Sequence, residues 1–289
     1  MLIDFHTHST ASDGALSPAE LVARARLAGV RLLALTDHDT IAGYAQIQAS
    51  AIAETDALRL IPGIEMSCRW SATTIHVLGL GMDIDHPAMQ EALAVLQQAR
   101  QDRAARIAER LEQRGFSGAL AGALQHAGDS QLGRPDFAAW MVEQGHVKDH
   151  AQAFDKYLGQ GKTGDVKAFW PELAQVVRWI VDAGGVAVMA HPLKYRYTRM
   201  KLRRLLLDFR AAGGQATELL SGYQTSDQTE QLRRLAHDLN LEVSVGSDFH
   251  RDGPYSPQVG VELPAIDGLI GVWQRWLPMD RASQEAVTA

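Results

Sequence analysis

The feature that most constrains what this chain can fold into is a repeated one: short apolar runs, most of them stopping at a histidine or a carboxylate. Leu2–Phe5 stops at His6-Thr7-His8, and Val30–Leu35 stops at Asp37-His38-Asp39. Leu58–Ile64 runs into Glu65, Thr74–Leu80 carries His76, Val186–Ala190 meets His191-Pro192, and Leu241–Val245 is followed by Asp248 and His250. With Thr217–Leu220 these make seven strand candidates, several of them apolar throughout, as strands buried on both faces are. Helical stretches lie between them. Ser17-Pro18-Ala19-Glu20 is a capping box with proline at the first helical position, and the helix it opens should end at Gly29. Further helices are expected from near Thr40 to about Thr55, over Pro87–Arg114, over Pro171–Ala183 and over Met200–Ala211.

Strands interleaved with helices predict an α/β fold with a mainly parallel sheet. Closing that sheet into a barrel lets a chain of 289 residues manage with one core, an open doubly wound sheet being the rival. Residues 100–166 carry no convincing strand, and Arg100-Gln-Asp-Arg-Ala-Ala-Arg-Ile-Ala-Glu-Arg alternates charge as a solvated helix face does. The expectation is a barrel formed by residues 1–99 and 167–289, with 100–166 inserted as a helical lid.

Strand geometry gives the polar residues their meaning. Residues two apart in a strand share a face, so His6 and His8 can reach one ion, and Asp248 and His250 repeat that spacing after the last strand. Asp13 follows the first strand, His38 the second, Glu65 the third and His191 the fifth. Any one of these alone is better read as a surface or satisfied core residue. Functional residues of a β/α barrel, however, come from the ends of several strands, and here nearly every strand supplies one. Imidazole and carboxylate without thiolate suit manganese, iron or zinc.

The four segments Asp4-Phe5-His6-Thr7-His8 with Asp13, Thr36-Asp37-His38-Asp39, Gly63-Ile64-Glu65 with His76, and His191-Pro192 with Gly246-Ser247-Asp248-Phe249-His250 together resemble the PHP (polymerase and histidinol phosphatase) domain family over most of the chain. That resemblance implies a distorted (β/α)7 barrel holding three divalent metal ions, manganese foremost, with zinc, iron or magnesium as alternatives. It puts His6, His8, Glu65 and Asp248 on the first ion, makes Glu65 a bridge to a second that also takes His76 and His191, and gives Asp13, His38 and His250 to the third.

Three divalent ions bring +6 and the ligand carboxylates Asp13, Glu65 and Asp248 bring −3, so about +3 is left for a phosphomonoester dianion and a hydroxide to neutralise. An uncharged amide would not do so, which favours a phosphatase. Within the family, Gly133-Arg134-Pro135 in a helical insertion is similar to the subgroup that removes the 3′-phosphate from 3′,5′-nucleoside bisphosphates. Cation-activated water would attack phosphorus, with His38 and Asp13 near the leaving oxygen and Arg134 as a phosphate clamp. Asp136 departs from the histidine more usual there. Lys194-Tyr-Arg-Tyr-Thr-Arg offers Lys194 and Tyr197 as further substrate contacts. Exonucleolytic trimming of short RNA from its 5′ end, or hydrolysis of histidinol phosphate or a similar small metabolite, are the alternatives.

Composition narrows the partners. A net charge of −6 and an isoelectric point near 6.0 oppose long nucleic acid but not a small phosphorylated nucleotide or a short RNA. Cys68 is the only cysteine, which excludes an intrachain disulfide and a thiolate-rich metal site. Without a secretory leader pattern or a run of roughly 18 apolar residues, a cytoplasmic protein without membrane partners is expected, its oligomeric state open. His86, His126, His146, His150 and His237 fall outside the motifs and read as non-ligands. Trp140, Trp170, Trp179, Trp273 and Trp276 read as packing residues.

Overall fold

The computed structural model describes residues 1–50, 57–167 and 169–277. Its strands are β1 (Leu2–Asp4), β2 (Val30–Ala34), β3 (Arg59–Ile61), β4 (Gly63–Trp70), β5 (Thr73–Leu80), β6 (Val186–Met189), β7 (Ala216–Ser221), β8 (Glu242–Gly246) and β9 (Val261–Glu262). Its α-helices are α1 (Pro18–Ala28), α2 (Ala42–Gln48), α3 (Pro87–Glu112), α4 (Ala119–Ala127), α5 (Arg134–Glu143), α6 (His150–Ala153), α7 (Leu173–Asp182), α8 (Arg199–Ala211) and α9 (Ser226–Asp238). The α/β character read from the sequence is therefore present. The capping box of α1 forms as expected, Ser17 and Glu20 each taking the other's backbone N–H, and Gly29 ends the helix with φ of 80°. The last part of the helix expected up to Thr55 falls on residues 51–56, outside the described residues.

The sheet departs from a uniform parallel one in two ways. Among the described residues two sheets are present, ordered β3-β2-β1-β9 and β4-β5-β6-β7-β8. Within them β5 runs antiparallel to both β4 and β6, whereas β1–β2, β2–β3, β6–β7 and β7–β8 are parallel. The single strand expected over Leu58–Ile64 is split at Pro62, whose missing N–H interrupts the ladder. The chain then continues to Trp70 and reverses through Ser71 and Ala72, at φ of 47° and 59°. Two successive left-handed residues suit a tight hairpin, but they are usually Asn or Gly, so Ser-Ala gave no turn signal in the sequence.

At one end the two sheets are stitched together through the backbone. Thr7 bridges Phe249 and His38 bridges Glu65, both in parallel, while Phe5 N donates to Val245 O at 3.1 Å and Asp39 N to Glu65 O at 2.9 Å. The motif residues therefore sit at the two seams. Because β5 is reversed, its N-terminal half lies at this same end, which is how His76 arrives there from within a strand.

Apolar packing divides along α3. Met89, Ala92, Leu96 and Ala99 belong to the core beneath the sheets, and Ala104, Ile107, Ala108 and Leu111 belong to a second core with Phe137, Trp140 and Met141. The expected solvated face of α3 is corrected in part. Arg100 is buried against Asp39, and Arg103 and Arg110 reach backbone carbonyls of residues 163–166. The charge alternation there reflects inward salt-bridging as well as solvation. The five tryptophans read as packing residues are all buried or half-buried in the two cores.

Gly246 marks a close approach between the sheets, since a Cβ there would lie 2.3 Å from His6 Cβ and 2.8 Å from His6 N. Gly246→Ala is expected to cost on the order of 1–3 kcal/mol by forcing β8 away from β1. A denaturant midpoint equal to that of the wild type would contradict this.

Candidate metal centre

The seams deliver nine side chains to one place. Glu65, at the start of β4, is almost wholly buried and lies at the centre. Its Oε1 is 2.9 Å from His76 Nδ1 and 2.9 Å from His191 Nε2, and its Oε2 is 3.1 Å from His6 Nε2, 3.2 Å from His8 Nε2 and 3.1 Å from His38 Nδ1. Asp248 Oδ1 stands 3.4 Å from both His6 Nε2 and His8 Nε2. Asp13 Oδ1 stands 3.4 Å from His250 Nε2 and 3.7 Å from His8 Nδ1. Donor atoms within 4.8 Å of one another form four overlapping groups: His8, Asp13, His38 and His250; His6, His8 and Asp248; His6, Glu65 and His191; His38, Glu65 and His76. His6, His8, His38 and Glu65 each belong to two groups, an overlap that residue spacing alone does not reveal.

The donors have an unusual environment. His6 Nε2, both ring nitrogens of His8, Asp13 Oδ1, His38 Nδ1, Glu65 Oε2 and His76 Nδ1 are buried atoms with no hydrogen-bond partner, although they lie close to one another. Orphaned buried polar atoms cost roughly 1–3 kcal/mol each. So many of them converging on one volume fits a site for divalent cations, because a cation satisfies several lone pairs at once.

Protonation points the same way. Burial holds the imidazoles of His191 at about 4 and His250 at about 3, and holds His38 well below its usual value, so their lone pairs are free. Burial would raise Asp13 and Glu65, but the surrounding imidazoles, His38 first, outweigh it and keep both carboxylates below their usual range. His6 is the exception. Burial opposes its charge, yet Glu218 and then Glu65 overcome that and raise it to about 10.

Residue order does not single out Glu218. It lies in the middle of β7, fully buried, with Oε1 2.9 Å from His6 Nδ1 and Oε2 accepting the backbone N–H of His191. The available signal was an acid inside the apolar run Thr217–Leu220. A carboxylate behind a ligand histidine fixes its tautomer and strengthens it as a donor. Glu218 also adds a carboxylate to Asp13, Glu65 and Asp248 around this volume, which favours cations there. The remaining motif acids hold backbone. Asp4 accepts from Ser247 N and Gly260 N, and its burial raises it to about 6. Asp37 takes Ser9 and Ser12, and Asp39 takes Ser67 and the Arg100 guanidinium.

Above the cluster is a cavity of about 250 Å³. Asp13, His38 and His76 face it from below, and Arg100, Arg103, Arg134 and Lys167 from α3, α5 and the segment after them. Arg134, expected as a clamp, lines this wall, with one N–H on Leu158 O at 3.0 Å. Asp136 caps α5 by accepting from Gly133 N at 2.7 Å. Lys194 also lines the cavity, its ammonium against Asp248. Tyr197 does not. The left-handed residue Arg196, with φ of 51°, separates it from Tyr195, which lines the cavity in its place and holds Ala190 O and His76 N.

Comparison with known proteins agrees with this geometry. The PHP domain matches residues 4–162. A Haemophilus influenzae protein named 5′-3′ exoribonuclease is 42% identical over 94% of this chain and 98% of its own length. A Chromobacterium violaceum protein named 3′,5′-nucleoside bisphosphate phosphatase is 41% identical over 91% of this chain and 93% of its own. The solved structure of an amidohydrolase from Chromobacterium violaceum, with bound sulfate and no metal, superposes with a TM-score of 0.83 at 39% identity, covering 94% of this chain and 95% of that one.

Two outcomes follow for metal uptake. Glu218→Gln is expected to weaken Mn²⁺ binding about 10- to 100-fold while the protein stays folded, read by calorimetric titration; unchanged affinity would remove Glu218 from the site's support. A cation ligated by His6 must displace the proton that the raised affinity keeps there at neutral pH. Affinity for that ion should therefore rise about tenfold for each pH unit up to roughly 10, with one proton released per ion bound. A flat affinity between about pH 7 and 8 would contradict this.

Proposed function

Because this chain belongs to the PHP domain family and is a phosphoester hydrolase, we propose that it removes the 3′-phosphate of 3′,5′-nucleoside bisphosphates, leaving the 5′-nucleotide. The observation that carries this reading is the convergence of nine ligand-type side chains, many of their donor atoms unsatisfied, beneath a cavity whose opposite wall is cationic. We assign His6, His8, Asp13, His38, Glu65, His76, His191, Asp248 and His250 to three divalent ions, manganese foremost, with Glu65 shared between the first two. When bound, the ions supply Lewis acidity, activating water as nucleophile and offsetting charge on the phosphoryl oxygens.

The protein's own groups do the rest. Glu218 orients His6, and Asp37 and Asp39 hold the strand-end loops that carry His8 and His38. Asp13 and His38, paired at 4.0 Å on the cavity side of the cluster, are the groups assigned to the leaving oxygen. Arg134 clamps a phosphate from above, supported by the guanidinium's unused N–H groups. Residues 100–166 act as the lid that carries Arg134, a division supported by the separate core that begins at Ala104. The stitched sheets support a distorted seven-stranded barrel, β3 and β4 counting as one strand broken at Pro62. A lone buried thiol and, among the described residues, no helix long and apolar enough to cross a membrane suit a cytoplasmic enzyme. A second reading, removal of nucleotides from the 5′ end of short RNA, is favoured by the name of the Haemophilus influenzae relative.

The test is phosphate release from adenosine 3′,5′-bisphosphate with Mn²⁺. One phosphate and 5′-AMP are expected, and Arg134→Met should raise KM about tenfold or more with a smaller change in kcat. Turnover of histidinol phosphate but not of the bisphosphate would overturn the substrate, and turnover that survives exhaustive chelation would overturn the metal site.

A further inference from the structure

Residues 194–204 read Lys-Tyr-Arg-Tyr-Thr-Arg-Met-Lys-Leu-Arg-Arg, six cations with no acid, in a chain whose net charge is −6. Several surface arginines elsewhere are paired with acids, among them Arg24 with Asp252, Arg69 with Glu172, Arg234 with Glu230 and Arg275 with Glu242. Arg196, Arg199, Lys201 and Arg203 have no carboxylate partner among the described residues. A concentration of unpaired positive charge on an acidic protein costs self-repulsion, and that cost is recovered when a polyanion binds.

Beside this stretch runs a groove of about 560 Å³, lined by Trp70, Met200, Lys201 and Arg204, with Asp208, which pairs with Arg204 and accepts from Trp70 Nε1, as its one acid, a volume in the range of sites for single organic ligands. Met200 is 84% exposed, and Lys201 Nζ sits 4.0 Å above the Tyr197 ring and 5.9 Å from that of Trp70. A row of rings connects the groove to the metal centre. His191 and Tyr195 are 5.5 Å apart, Tyr195 and Tyr197 5.7 Å, and Tyr197 and Trp70 5.8 Å between centroids. Tyr195 lines the catalytic cavity and Trp70 lines the groove, so the row leads from one to the other.

We propose that this groove and the basic start of α8 bind the nucleotides of a single-stranded oligoribonucleotide that lie beyond the phosphate held at the metal centre. Positive charge that tracks a backbone, combined with rings and apolar side chains against which bases pack, is how proteins hold single strands without reading their sequence. The surface makes a chain a better ligand than a mononucleotide, whose two phosphates are taken up within the cavity. The inference rests on the phosphoesterase reading of the site, and the experiment separates the two.

Lys201→Glu, and separately the pair Arg199→Glu and Arg203→Glu, alter exposed or half-exposed side chains outside the catalytic cavity. Binding is measured with a 3′-fluorescent hexaribonucleotide by anisotropy in EDTA, which needs no catalysis. Each variant is expected to bind about tenfold or more weakly than wild type and with a shallower dependence on salt. Hydrolysis of a 5′-phosphorylated hexaribonucleotide should lose a comparable factor in kcat/KM, with turnover of adenosine 3′,5′-bisphosphate unchanged. Unchanged hexamer binding would overturn the proposal, as would equal losses on hexamer and bisphosphate, or a loss confined to binding of anionic lipid vesicles. If wild type binds and trims the hexamer through this surface but never hydrolyses the bisphosphate, the substrate under the proposed function falls and the groove stands.

Discussion

Everything in this protein is organised around one carboxylate that five imidazoles approach at once. Glu65 is withdrawn from solvent and meets His6, His8, His38, His76 and His191, which arrive from three different strand ends and from within a fourth strand. So many desolvated donors in one volume oppose folding, and the chain offsets that with a second ring of acids that do not face the cavity. Asp4, Asp37, Asp39 and Glu218 take backbone and side-chain N–H and O–H groups and so fix where each histidine-bearing turn can stand. The backbone carries part of the load as well. Asp39, His191 and Asp248 all hold left-handed conformations that non-glycine residues seldom adopt.

Much of this was legible in the residue order. Apolar runs ending in His, Asp or Glu specified both the strands and the pole at which they converge, because strand alternation and chain direction are fixed by covalent geometry. All nine candidate ligands meet in the structure. What escaped the sequence is what depends on pairing partners. The reversal of β5 follows a Ser-Ala turn that lacks the usual turn residues, so residue order alone ends the preceding strand too early. Glu218 hid inside an apolar run because one acid in a strand carries no spacing. Arg100 looked like one more surface charge because only the fold reveals that Asp39 waits opposite.

The same distinction separates the two halves of the site. The floor is written in local motifs, each within a few residues of a strand end. The cationic wall is assembled from α3, α5 and the residues that follow, and its members are far apart in sequence. Arg103 shows how crowded that wall is: burial, then Arg134 and Arg100, lower its guanidinium to about 9. A wall of that kind attracts an anion whatever its detailed shape, whereas the floor tolerates little displacement.

The long helix α3 belongs to both cores, its first half packed under the sheets and its second half inside the helical segment. A rod of roughly 39 Å joins the two, and only Arg100, near its midpoint, touches an acid next to His38. The helical segment from that midpoint to about residue 166 can therefore be reshaped with little strain on the turns that hold the nine clustered side chains.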